Sequence, residues 1–161
     1  NLAKSNGNPD QADVSGTRAG SRLAAMMMAP DWPQFAQRLN RDTIKGVCGI
    51  SGLYNLVPVQ LCYVNEVLNM DKAIAFRNSP VWLSPETHCP LVLAVGANET
   101  TEYREQSCEL YTSWTDKQAS VQLLEIPGLN HFSILETMLD HSSQLHHSFC
   151  RLMNIHSAQI N

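Results

Sequence analysis

With 161 residues, 43% of them hydrophobic and 16% charged, the chain has the size and balance of one soluble globular domain. Its net charge of −4 leaves no basic footprint, which excludes nucleic acid as the expected partner. No apolar run reaches membrane-spanning length, since Leu23 to Ala29 stops at Pro30, and the opening Asn1-Leu2-Ala3-Lys4 carries no signal-peptide pattern. The five cysteines (48, 62, 89, 108 and 150) form no Cys-x-x-Cys pair. Free thiols in a reducing compartment are therefore expected, and with them a cytoplasmic location. Cys48 and Cys89 lie in or beside apolar runs and read as core residues. Cys108 and Cys150 have no basic neighbour apart from Arg151, so neither is read as a reactive thiol.

In chain order, Leu2 to Asn6 reads as a helix tail stopped by the turn residues Asn6-Gly7-Asn8-Pro9-Asp10. A strand is predicted over Gln11 to Ser15, weakened by Asp13 in a position where a doubly covered strand is apolar. Gly20 to Ala29, rich in Ala, Leu and Met, predicts a helix closed by Pro30 and Pro33. A second strand falls over 44–52. Residues 53–86 read as a cap-like insert of short helices and loops, with helical stretches at 60–68 and 71–77. Pro90 to Gly96 is the clearest buried strand, apolar throughout and stopped by glycine. An amphipathic helix follows over 102–114, a strand over 121–128, a helix over 133–139 and another reaching Met153. This alternation predicts an α/β fold: a mostly parallel sheet of about four strands flanked by helices, in one domain over 1–161.

Between the first strand and helix lies Val14-Ser15-Gly16-Thr17-Arg18-Ala19-Gly20. Two glycines bracket a sharp turn, the layout of a Gly-x-Ser-x-Gly elbow that raises a central residue above the sheet. The central residue here is Arg18. In parallel sheets the ligand side is the carboxyl end of the strands, which places Arg18, Ser51-Gly52, Glu99 and His131 together. A loop acid followed by a loop histidine is the order of the acid and base of a hydrolase triad. Ser15 and Ser21 flank the turn and read as structural. His141, His146 and His147 read as helix-surface histidines, so no metal is expected, nor any other cofactor.

These motifs resemble the C-terminal half of an α/β-hydrolase of the esterase and arylformamidase group. Val14 to Ala25 follows the family's elbow and helix, Ser51 to Leu56 a Ser-Gly-x-Tyr-Asp-Leu segment with Asn55 for Asp, and Ser79-Pro80 the cap-region Ser-Pro. Glu99 before Glu102-Tyr103-Arg104-Glu105-Gln106-Ser107 is similar to the acid loop, and His131-Phe132 to the catalytic His-Phe segment. The resemblance implies Glu99 and His131 as vestigial acid and base, Arg18 at the nucleophile position, and the Ala19 amide as an oxyanion donor. It also implies a truncated fold without the family's N-terminal strands and His-Gly-Gly loop.

Arginine neither attacks carbonyls nor loses its proton. The expected function is thus a hydrolase-like pseudoenzyme that binds a small acyl or carboxyl ligand or a protein partner. The alternative is a carboxylic-ester or arylformamide hydrolase, residual or active only with a companion N-terminal half. Two further expectations concern geometry. Arg18 is expected to ion-pair with Glu99, and the exposed elbow strand to form a homodimer through residues near 11–29.

Overall fold

The computed structural model describes residues 12–117 and 119–155. The expected helix tail and turn at residues 2–10 lie outside them. The sheet has four strands in the order β1 (Ala12–Thr17), β2 (Ile44–Ile50), β3 (Leu91–Gly96) and β4 (Val121–Ile126), each parallel to its neighbour. Helix α1 (Ala19–Met26) and the single turn α2 (Trp32–Phe35) lie between β1 and β2, and α6 (Thr101–Asp116) joins β3 to β4. The expected α/β architecture is the one observed.

Burial on both faces explains why the strands read as apolar runs. In β3, Leu91 and Leu93 face one side and join Ala24 and Ala25 of α1, Met28 just beyond it, and Leu110 and Trp114 of α6. Val92 and Ala94 face the other side and pack with Cys48, Ile50 and Leu124, under α7 (Ser133–Glu136) and α8 (Gln144–Leu152). Burial pushes the Cys48 thiol up to about 12, which makes it an inert core group. Cys89 and Cys150 are buried too, whereas Cys62 and Cys108 are exposed, and all five are free. None of the described helices is long and apolar enough to cross a membrane.

Several boundaries differ from the sequence reading. β1 runs on to Thr17, because Gly16 and Thr17 continue the ladder opposite Gly49 and Ile50. The helix expected over 60–68 is instead two single turns, α3 (Val57–Gln60) and α4 (Asn65–Leu68). Leu61, Tyr63 and Val67 are 77%, 82% and 87% exposed, so no apolar face holds this stretch in one helix. Asn69, at φ 49°, ends α4. A six-residue α5 (Lys72–Arg77) and a 3₁₀ turn at Pro80–Trp82 complete the segment. Helix α7 stops at Glu136, short of the expected Leu139, and α8 runs from Gln144 to Leu152, its start capped by Ser143, which accepts the His146 N–H at 3.0 Å.

Beside the core side chains Tyr54 and Val81, buried polar groups also dock the segment 53–86. Gln106 Oε1 accepts the backbone N–H groups of Tyr54 and Asn55 at 2.7 and 2.8 Å. Ser79 Oγ accepts Leu56 N–H and donates to Ala75 O, both at 2.7 Å. The Gln106 and Ser79 positions of the recognised motifs therefore hold the loop after β2 in place.

The elbow itself depends on one glycine. A Cβ on Gly16 would overlap the backbone carbonyl of Gly20, whereas a Cβ on Gly20 would meet open space. Only the first of the two bracketing glycines is needed for the turn. Gly16→Ala is accordingly expected to lower stability by about 2–4 kcal/mol in urea unfolding, and Gly20→Ala to change it by less than about 1 kcal/mol. Equal effects would contradict this packing.

Candidate active site

Arg18 stands at the apex of the turn with φ 55° and ψ −121°, a left-handed conformation that a side-chain-bearing residue adopts only when its surroundings enforce it. Three contacts do so. The Arg18 N–H donates to Ile50 O at 3.0 Å, tying the apex to the end of β2. Ser21 Oγ accepts the Ile50 N–H at 2.9 Å, and its proton lies between the carbonyls of Gly16 (2.8 Å) and Ile50 (2.7 Å). Ser21 is fully buried in this role, and Ser15 is exposed on β1. Ala19 opens α1, so its N–H lies in the first turn, where helical acceptors are lacking.

Glu99 lies in the turn between β3 and α6, its side chain fully buried. Oε1 accepts the Gly96 N–H at 2.8 Å and the Ser51 hydroxyl at 2.6 Å. Oε2 meets His131 Nδ1 at 2.7 Å. Three donors satisfy this buried side chain without a lysine or arginine partner. Ser51 reaches Glu99 from a φ of 50° at the end of β2, itself an uncommon conformation.

His131 follows β4 and is held from three sides. Tyr103 of α6 packs on its ring with centroids 4.4 Å apart. Phe132 meets its edge at 5.6 Å. Arg18 Nε donates to His131 Nε2 at 2.7 Å, while the guanidinium lies 5.0 Å over the Phe132 ring. A guanidinium has only donors, so Nε2 must be the bare, accepting nitrogen. The proton of the neutral ring therefore sits on Nδ1 and points at Glu99. Arg18, His131 and Glu99 form one hydrogen-bonded chain in that order.

The structure thus brings Arg18, Ser51, Glu99 and His131 together, as the strand-end argument expected. The expected Arg18–Glu99 ion pair is not formed. The ion pairs among the described residues are Arg41–Asp31 and Arg104–Glu125, and the contact of Glu99 with the neutral His131 ring is a hydrogen bond. His131 stands between the two charges, and Gly96, Ser51 and His131 already use both Glu99 oxygens. Besides the Arg18–His131 bond, two contacts absent from the sequence reading stand out. One is the Ser51–Glu99 bond, which the recognised Ser51-Gly52 segment marked without assigning. The other is His146 Nε2 at 3.4 Å from Cys150 Sγ, a basic partner one helical turn away on α8.

In chemical terms, the lone pair with which a histidine takes a proton from a nucleophile is occupied by a cation. The residue at the apex offers no oxygen or sulfur. The remaining donors, Arg18 Nη1 and Nη2, form no hydrogen bond with the described residues and belong to an exposed residue.

Comparisons with known proteins agree with the fold. No family model matches the chain. It is 37% identical over 141 residues to a kynurenine formamidase of Salmo salar, covering 82% of this chain and 47% of that protein. A kynurenine formamidase of Danio rerio is 36% identical over 132 residues, covering 79% and 44%. The chain therefore spans about half the length of these curated relatives. Among solved structures, a Silicibacter protein proposed to be a thioesterase superposes with a TM-score of 0.70 at 26% identity, over 81% of this chain and 47% of that one. Esterase B from Lactobacillus superposes with a TM-score of 0.62 at 15% identity, over 91% and 54%. The sheet order, the turn at Arg18 and these relatives together make the chain an α/β-hydrolase-fold protein of the arylformamidase-like group.

Proposed function

We propose that this protein is a non-catalytic α/β-hydrolase-like domain that binds a small carboxylate. The observation that carries the reading is the 2.7 Å bond from Arg18 Nε to His131 Nε2. In a working triad that lone pair faces a serine hydroxyl, and the histidine removes its proton as the serine attacks. Here it faces a group that is always protonated and never nucleophilic. Arg18 stands in for the nucleophile of the related enzymes and at the same time caps the base. The Glu99–His131 pair then orients Arg18 rather than activating an attack. The free end of the guanidinium, with two parallel N–H donors, matches the two oxygens of a carboxylate.

Hydrolysis of p-nitrophenyl acetate separates this reading from residual ester or arylformamide hydrolysis. The unmodified chain is expected to turn over no faster than His131→Ala. Arg18→Ser, which uncaps His131 and places a hydroxyl at the apex, is expected to exceed both by about tenfold or more. Activity in the unmodified chain that His131→Ala abolishes would overturn the non-catalytic reading.

The protein-partner side of the proposal rests on β1. Among the described residues β1 pairs only with β2, so one of its edges carries no strand. A second copy pairing there about a two-fold axis would satisfy the free backbone groups. Sedimentation equilibrium is expected to give twice the 17.9 kDa chain mass. A monodisperse monomer would contradict the pairing.

A further inference from the structure

The charge balance around Arg18 is incomplete. Glu99, the carboxylate nearest in the hydrogen-bonded chain, has its oxygens on Gly96, Ser51 and His131. No ion pair among the described residues includes Arg18. Its Nε is engaged by His131 and its face by Phe132, and its Nη end has no hydrogen bond among the described residues. His131 is in the opposite position, with Nδ1 anchored on a buried carboxylate and Nε2 held by a contact to an exposed side chain.

The two contacts of His131 respond differently to a proton. Adding one at Nε2 strengthens the bond to Glu99, which then pairs with an imidazolium. The same proton removes the acceptor of the Arg18 bond and sets two donors and two positive charges against each other. A carboxylate placed between them resolves the conflict, because one of its oxygens can accept from Arg18 and the other from Nε2–H.

We propose that Arg18 and His131 form a proton-coupled carboxylate site, in which each bound carboxylate brings one proton onto His131 Nε2. The proton comes from solvent. The hydrogen bond from Arg18 Nε to Nε2 is lost, bonds from both residues to the carboxylate replace it, and Nδ1–H stays on Glu99. One negative and one positive charge enter together, so the net charge of the site is unchanged and no covalent bond other than N–H forms. The charged and titratable groups facing His131 are Glu99 from the turn after β3, Arg18 from the elbow and Tyr103 from α6. Of these, Glu99 favours the imidazolium, Arg18 opposes it until the anion arrives, and the neutral Tyr103 ring packs on its face.

This inference rests on the carboxylate-binding reading but fails separately from it. The test is titration of the unmodified chain with sodium acetate, which is ionised throughout the range from about pH 6 to 8. Calorimetry in two buffers of different protonation enthalpy reads the protons taken up. Acetate affinity is expected to weaken towards the alkaline end, with net proton uptake on binding. His131→Gln, which keeps a donor but cannot be charged, is expected to bind acetate with no pH dependence. Arg18→Gln is expected to lose binding. Acetate binding that is independent of pH in the unmodified chain overturns the proton coupling alone, and so does an unchanged pH dependence in His131→Gln. No acetate binding at any pH overturns both this inference and the carboxylate-binding reading.

Discussion

The reversal of the chain at Arg18 is the constraint on which the site depends. A strand must turn into a helix within two residues while the first helical turn stays pressed against the strand. That close approach is possible because Gly16 has no side chain to strike the Gly20 carbonyl. Ser21 then fastens the turn by inserting its hydroxyl into the backbone of Ile50 and Gly16. Held at both ends, the apex residue accepts a conformation that costs about 1–3 kcal/mol for anything but glycine. The sheet converts this local strain into position. Thr17 is in register with Ile50, and Ile50 with Ala94, so the loops after β1, β2 and β3 open at one edge and their side chains meet.

What meets there is a graded set of charges. Glu99 is fully buried and fully bonded, His131 is partly exposed, and Arg18 lies at the surface. Burial of an unpaired carboxylate is expensive, and the three donors to Glu99 offset that. The imidazole carries the influence of the buried charge outward and delivers it to the guanidinium as a bare lone pair. In a hydrolase frame that lone pair would be the source of catalysis. With arginine at the apex, the proposed reading makes it a device that positions the guanidinium.

Much of this was legible in the sequence, for identifiable reasons. The four strands were readable because burial on both faces makes β3 apolar throughout, and because helices with strong formers separate the strands. The site positions were readable because parallel strands place their carboxyl ends on one side, so four separate segments pointed to one place. The role of Gly20 was overread, since a motif records a residue without saying which of its neighbours needs it. The direction of Arg18 was not legible. A sequence shows that Arg18 and Glu99 carry opposite charges, but not that Glu99 is already saturated by Ser51 and Gly96. The long helix across 60–68 failed for a similar reason, because exposed leucine, tyrosine and valine look like a core face until no partner covers them.

The central claim is that a guanidinium caps the base nitrogen of His131. It is tested most directly by the ¹⁵N spectrum of the His131 ring in the ligand-free protein at neutral pH. The account predicts the tautomer with the proton on Nδ1 and a bare Nε2, and a change in the Nε2 shift when Arg18 is replaced by Gln. A ring protonated at Nε2, or an Nε2 signal indifferent to Arg18→Gln, would contradict it.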